Sequence, residues 1–277
     1  MCGYSGGLER RSFSEKELVD QMEFSLKGNE DVRFVKIFTS GSFLDEGEIP
    51  NSVALRLLTI IKERIGDVEI LIESRPEYIN NEILSEFSKR AERLNIAVGL
   101  ETSNDLIRNY IIGKRFSYSL FRRSAIKIID NGIKLKTYLL MKPPFLTEAF
   151  ALDDMKSSIQ RLAEDFHGSC VSVNPMNIQK NTPLERLYKK GLYRPPFLWS
   201  LFELFRWHGS QGFRDLRLMS SPSGGGKKRG VHNCGSCDEM ILSSIEDMSL
   251  DPYHFPKIEP QCSCKKDYLQ LLSNNSI

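Results

Sequence analysis

The chain has 277 residues, 40% of them hydrophobic and 27% charged, with a net charge of +2. That length suits one large α/β domain with a small appendage, and the composition excludes disordered, fibrous and collagen-like classes. No apolar run approaches the roughly 20 residues that span a bilayer. The start, Met1-Cys2-Gly3-Tyr4-Ser5-Gly6-Gly7, has no apolar core of a secretion signal. The expected location is therefore the cytoplasm, with no membrane partner. Near-balanced charge neither demands nor excludes nucleic acid; only a local patch could argue for it.

In chain order, Arg33–Thr39 reads as a short strand ending in the turn Ser40-Gly41-Ser42, and Ser52–Arg64 has helical apolar spacing. Val68–Ile72 is a strand, Asn80–Leu94 an amphipathic helix and Ile96–Leu100 a strand. Phe121–Asn131 is a helix that Gly132 can cap. Ile133–Met141 is a strand stopped by Pro143-Pro144, Phe150–Phe166 a helix, and Cys170–Asn174 a strand stopped by Pro175. Short apolar strands alternating with amphipathic helices mean a parallel sheet with helices outside.

Chemistry in such sheets gathers at the carboxyl ends of the strands. The polar groups expected there are Ser40 and Ser42, then Glu73, Ser74 and Arg75, then Glu101 and Thr102, then Lys142, and last Asn174 and Asn177. Gly41 at a strand end lets backbone approach a ligand closely. Carboxylates and hydroxyls here suit a ribose or an amine, and Arg75 suits a carboxylate. A plain turn at Ser40–Ser42 and an ordinary ion pair at Arg75 are the competing readings, as is a merely structured turn at Asn174, Asn177 and Gln179.

Beyond about residue 200 the character changes. Trp199–Trp207 is an aromatic helix, which at this spacing is usually core rather than a base-stacking face. Ser220–Gly230 (SSPSGGGKKRG) reads as flexible. Its Lys227, Lys228 and Arg229 could hold RNA phosphates, although a solvated loop is the commoner case.

The six cysteines are unevenly placed: Cys2 is near the start, Cys170 stands alone, and Cys234, Cys237, Cys262 and Cys264 crowd together. Without a secretion signal such a cluster reads as metal binding before disulfides. A Cys-x-x-Cys knuckle and a second pair can close a tetrahedral site, with His232 spare. Zinc is the first choice and an auxiliary iron–sulfur cluster the second. His167, His208, His254 and Cys170 read as structural.

Several stretches together carry a family resemblance. They are Met1–Ser5 (MCGYS), Thr39–Asp45 (TSGSFLD), Glu73–Ile79 (ESRPEYI), Val98–Thr102 (VGLET), Val173–Leu184 (VNPMNIQKNTPL) and His232–Cys237 (HNCGSC). They resemble the radical S-adenosylmethionine (SAM) superfamily of the Elp3/MiaB/NifB-like kind, and within it the radical SAM subunit of archaeosine synthase. The resemblance implies a [4Fe–4S] cluster and SAM as cofactors. Cys2 would be the third thiolate of the family's Cys-x-x-x-Cys-x-x-Cys motif, and Tyr4 the aromatic residue that follows it. Ser40, Gly41 and Ser42 would meet the amino group of SAM's methionine part. Glu73, Ser74, Arg75, Glu101 and Asn174 would complete the SAM site. No residue is assigned to the substrate's reacting carbon.

The fold so implied is α/β, a partial (β/α) barrel of the radical SAM type lacking its first strand, with a small C-terminal metal-binding extension. Residues 1–215 would form the core and 216–277 the cysteine-rich extension. The resemblance leads one to expect two further cluster cysteines and a strand ahead of Met1, so either the true start lies upstream of Met1 or the gene is broken. A chain that begins at Met1 is expected to lack activity, expose a sheet edge, and be unstable or associate. The implied function is tRNA modification. A partner enzyme attaches lysine to a 7-deazaguanine base, and this subunit cleaves the adduct with a 5′-deoxyadenosyl radical to give archaeosine. Two other readings stay open: a radical SAM enzyme with a different substrate, and a non-catalytic relic or interaction subunit.

Overall fold

The structure is a computed structural model that describes residues 13–29, 31–39, 41–213, 215–251 and 260–273. Cys2, Tyr4, Ser40 and His254 lie outside the described residues. Six strands form one sheet in the order β1-β2-β3-β4-β5-β6, the order of the sequence itself. Two compact units divide the chain. One is the described part of Gly6–Gly99 with Ser119–Lys136; the other is the described part of Leu100–Tyr118 and Thr137–Ile277.

The amino-terminal unit begins with α1 (Glu15–Leu26), whose capping box pairs the Ser14 hydroxyl with Glu17 N–H and the Glu17 carboxylate with Ser14 N–H. β1 (Phe34–Ile37) runs parallel to β2 (Glu69–Ser74), and β2 parallel to β3 (Leu94–Glu101). Ile70, Leu71 and Ile72 are all buried, so both faces of β2 are covered, as in a sheet flanked by helices. β1 differs: its residues alternate between exposed and half-buried. α2 (Asn51–Ile65) buries Val53, Ala54, Leu57, Leu58, Ile60 and Ile61 and packs against α1 and α3 (Asn81–Arg90). Phe87 of α3 meets the Phe43 ring edge-on at 6.2 Å. α4 (Tyr118–Asp130) ties down the turn after β2: the Ser124 hydroxyl donates to Pro76 O at 2.7 Å and the Lys127 ammonium to Ile79 O at 3.3 Å.

The carboxy-terminal unit holds the end of β4 (Lys134–Met141), α5 (Glu148–Asp165), β5 (Cys170–Pro175), α6 (Pro183–Lys189), α7 (Leu198–Ser210) and β6 (Arg217–Met219), then α8 (Asp238–Leu250) and α9 (Cys264–Ser273). β5 and β6 pair in parallel. Trp199, Leu201, Phe202 and Leu204 of α7 have no exposed surface, so the aromatic helix is core and presents no stacking face there. α8 packs on α7 and β6, and α9 on α5. Among the described residues, no helix is long and apolar enough to cross a membrane.

Five expected strands occur within two residues of their expected positions. The helix expected over Asn80–Leu94 stops at Arg90, because Ala91 turns extended and Leu94 already belongs to β3. β6 was not anticipated: three residues give no periodic signal. Ser220–Gly230, read as flexible, is a compact series of turns held by its own backbone bonds. Replacing Phe87, which has no exposed surface, by alanine should cost about 3–5 kcal/mol in urea unfolding; a loss below about 1 kcal/mol would contradict its core position.

Candidate functional site

The turn after β1 is shaped by a carboxylate. Ser42 N–H donates to Glu48 Oε2 at 3.0 Å, and a Cβ on Gly41 would lie within 1.9 Å of the same carboxylate. No residue but glycine fits at position 41 while Glu48 stays there. Glu48 was not singled out from the sequence; it lies seven positions past Gly41 in an otherwise ordinary turn.

Ser42 and Ser74 are brought together. Their hydroxyls are 2.8 Å apart and buried, and Arg75 N–H donates to the Ser42 hydroxyl at 3.1 Å. Phe43 N–H donates to Glu73 O at 2.9 Å. The carboxyl end of β2 is thus laced to the turn that follows β1. Arg75 forms an ion pair with Glu77, and Glu73 is half-buried.

In the carboxy-terminal unit, the ends of β3 and β4 share an unusual backbone. Glu101 (φ 68°) and Lys142 (φ 58°) are left-handed and neither is glycine, a conformation that clusters at functional sites. Glu101 pairs with Lys114 at 2.9 Å. Lys142 is buried and pairs at 2.6 Å with Glu148, also buried; its carbonyl accepts the Tyr193 hydroxyl at 2.7 Å. Burial and the Glu148 charge push the Tyr193 phenol upward. Glu148 Oε1 accepts from Phe197 N–H at 2.8 Å and the Ser200 hydroxyl at 2.5 Å. Glu148 carried no signal in the sequence beyond following Thr147, the N-cap of α5.

Behind Glu101 lies a second network. The Thr102 hydroxyl donates to Asp154 Oδ1 at 2.8 Å, and the Ser158 hydroxyl accepts from Ser103 N–H at 2.9 Å. The Arg108 guanidinium, wholly buried, donates to Thr102 O, Phe116 O and Asp105. Asn174 ends β5 half-buried, and the Asn177 amide donates to Ser223 O at 3.2 Å.

Cys234, Cys237, Cys262 and Cys264 converge, with all four sulfurs within 4.8 Å of one another. Cys234 lies 3.9 Å from Cys237 and 3.6 Å from Cys262, and Cys237 lies 3.6 Å from Cys264. Metal–sulfur bonds of about 2.3 Å set tetrahedral edges of about 3.8 Å, so this set fits one four-coordinate ion. A cluster with a different iron under each thiolate would spread them wider. The knuckle is held by Asp238, which accepts from Asn233 and Gly235 N–H. The Trp199 indole donates to Cys264 Sγ at 3.3 Å and the Asn233 amide to Cys237 Sγ at 3.4 Å. His232 is not in the set; its Nδ1 lies 2.8 Å from Gly230 O. Cys170 is apart from it too, beside the Met219 thioether.

The chain is 35% identical over 276 residues to archaeosine synthase subunit beta of Methanosarcina acetivorans, covering 98% of this chain and 79% of that protein. It is also 35% identical over 277 residues to archaeosine synthase subunit beta of Thermococcus kodakarensis, covering 97% of this chain and 85% of that protein. The chain belongs to the archaeosine synthase subunit beta family. No protein-family model matches it. In fold, this family member is similar to an archaeal Elp3 from Methanocaldococcus infernus lacking its N-terminus: TM-score 0.60 at 16% identity, covering 87% of this chain and 59% of that one. The expected partial (β/α) barrel of the radical SAM type is therefore the fold, with the cysteine group near its C-terminus.

Burial raises the Asp154 carboxyl to about 6, against the opposing hydrogen bond from Thr102. The folded state then holds the proton more tightly than the unfolded chain, so stability falls as pH rises from about 4 to about 6. Asp154→Asn should flatten that slope by up to about 3 kcal/mol over the interval. Unfolding curves of variant and wild type that fall in parallel across it would contradict the assignment.

Proposed function

We propose that this chain is the radical SAM subunit of an archaeosine synthase. It would act on tRNA in the cytoplasm, after a partner enzyme has attached lysine to a 7-deazaguanine base. It would cleave the lysine C–N bond and leave the formamidine of archaeosine. The observation that carries the reading is near-full-length similarity to two proteins named archaeosine synthase subunit beta, on a chain whose strand ends are polar and strained.

The groups at these strand ends suit SAM in each unit taken by itself: the Ser42–Ser74 pair, Glu73 and Arg75 of the amino-terminal unit offer hydroxyl, carboxylate and guanidinium groups, and Glu101 and Asn174 of the carboxy-terminal unit offer a carboxylate and an amide. When bound at a reduced [4Fe–4S] cluster, SAM supplies a 5′-deoxyadenosyl radical. Cys2, with Tyr4 and Ser40, lies outside the described residues. This chain's residues would do three things: fix the glycine turn through Glu48, hold the β2 end in register through Ser42, and keep Glu101 and Lys142 in their left-handed conformations. Fixed groups that need no rearrangement lower the cost of orienting a bound reactant.

Deleting the gene should leave tRNA with the lysine adduct and no archaeosine in nucleoside mass spectrometry. Unchanged archaeosine would refute the reading. Loss of a different modified nucleoside would favour a radical SAM enzyme with another substrate.

We assign zinc to Cys234, Cys237, Cys262 and Cys264, since four thiolates at tetrahedral spacing suit it. The site staples a segment with little core of its own. Purified protein should carry one zinc per chain at this site, and Cys262→Ser/Cys264→Ser should remove it and lower the melting temperature. Full metal content in that variant, or iron in place of zinc, would overturn the assignment.

A further inference from the structure

Residues 176–194 and 221–235 contain eight cations, namely Lys180, Arg186, Lys189, Lys190, Arg194, Lys227, Lys228 and Arg229, and one carboxylate, Glu185. In a chain of net charge +2, these two stretches concentrate the positive charge and leave the rest acidic. The structure joins them. Ile178 N–H donates to Arg229 O at 2.8 Å, Arg229 Nε donates to Ile178 O at 3.1 Å, and the Asn177 amide donates to Ser223 O. The Arg229 guanidinium lies 2.7 Å from Glu185 Oε1, and the Lys189 ammonium 3.5 Å from the same oxygen. Hydrogen bonds from Arg229 and then from Asn181 N–H hold the Glu185 carboxyl at about 2, so it stays ionised as a latch.

The 224–230 loop is also closed on itself. Lys227 N–H donates to Gly224 O at 3.1 Å, Gly230 N–H to Lys227 O at 2.9 Å and Gly226 N–H to Val231 O at 2.9 Å. A Cβ on Gly230 would sit 2.3 Å from Gly224 O, a backbone atom that cannot swing away. Arg229 is spent on the latch, whereas Lys227 and Lys228 at the tip are exposed, as are Lys180, Arg186, Lys189 and Lys190. Glu185 is the single acidic residue in either stretch to compete with a polyanion for these cations.

We infer that this ridge, with Lys227 and Lys228 at its tip, grips the phosphate backbone of the RNA substrate. The inference rests on the tRNA reading above and adds where the tRNA is held. Phosphate, rather than a base, is the partner because the exposed groups are ammonium and guanidinium ions without an exposed aromatic residue among them in these stretches. Pre-formed geometry spares the ordering cost that a floppy lysine loop would incur.

The test is fluorescence anisotropy of the full chain with a transcribed archaeal tRNA across a potassium chloride series. Wild type should bind with a steep salt dependence. Lys227→Ala/Lys228→Ala should bind more weakly, with a log–log slope shallower by about 1.4–1.8, the release of counterions from two phosphates. Lys62→Ala/Lys89→Ala, in the other unit, should match wild type. Gly230→Ala, which keeps every charge but forces the loop open, should also weaken binding. Wild-type binding that the Lys227/Lys228 variant retains in full, affinity and slope alike, would overturn the ridge and leave the tRNA reading standing. No wild-type binding to tRNA, together with retention of poly-glutamate, would overturn both and assign the ridge to an acidic protein.

Discussion

The carboxy-terminal unit is organised around one buried charge pair, Lys142 with Glu148. Both side chains are almost fully removed from water and lie 2.6 Å apart. Removing two charges from water costs several kcal/mol each, and attraction alone repays that only with good geometry and further hydrogen bonds. Glu148 has those bonds, from Phe197 N–H and the Ser200 hydroxyl. Lys142 also stores strain: its left-handed backbone costs of order 1–3 kcal/mol for a residue with a Cβ. The pair holds that conformation at the carboxyl end of β4.

From this pair, contacts run to the four-cysteine group. Glu148 fixes the start of α7, where Trp199 N–H donates to Asn233 Oδ1 and the Trp199 indole to Cys264 Sγ. Asn233 in turn reaches Cys237. The β4 strand end and the thiol tetrahedron are therefore joined through one helix turn. From the far side of the knuckle the chain returns, through Gly230 and Arg229, to the loop after β5. The cysteine group is thus tied by hydrogen bonds to α7 and to the loop after β5.

Much of this was legible in the sequence. β2, β3 and β5 pair in parallel and hold runs of consecutive buried residues, which stand out against helical spacing, whereas β4 alternates between buried and more exposed positions. The four cysteines were legible from spacing, since a knuckle and a second pair advertise a common ion. What stayed hidden depends on residues distant in sequence. Ser42 meets Ser74 across 32 positions, and Trp199 meets Cys264 across 65. The glycine-rich loop read as flexible because its latch, Arg229 to Glu185, closes over 44 positions. α1 was not anticipated: it buries only Leu26, so its apolar spacing is weak, and its capping box at Ser14 and Glu17 emerges only in the structure.

The most direct measurement is a double-mutant cycle on Lys142 and Glu148 by urea unfolding. Lys142→Met and Glu148→Gln should each cost about 3–5 kcal/mol, because each strands a buried partner. The double variant should cost little more than either alone, a coupling well beyond the roughly 0.5 kcal/mol of independent sites. Costs that simply add would contradict the pair's organising role.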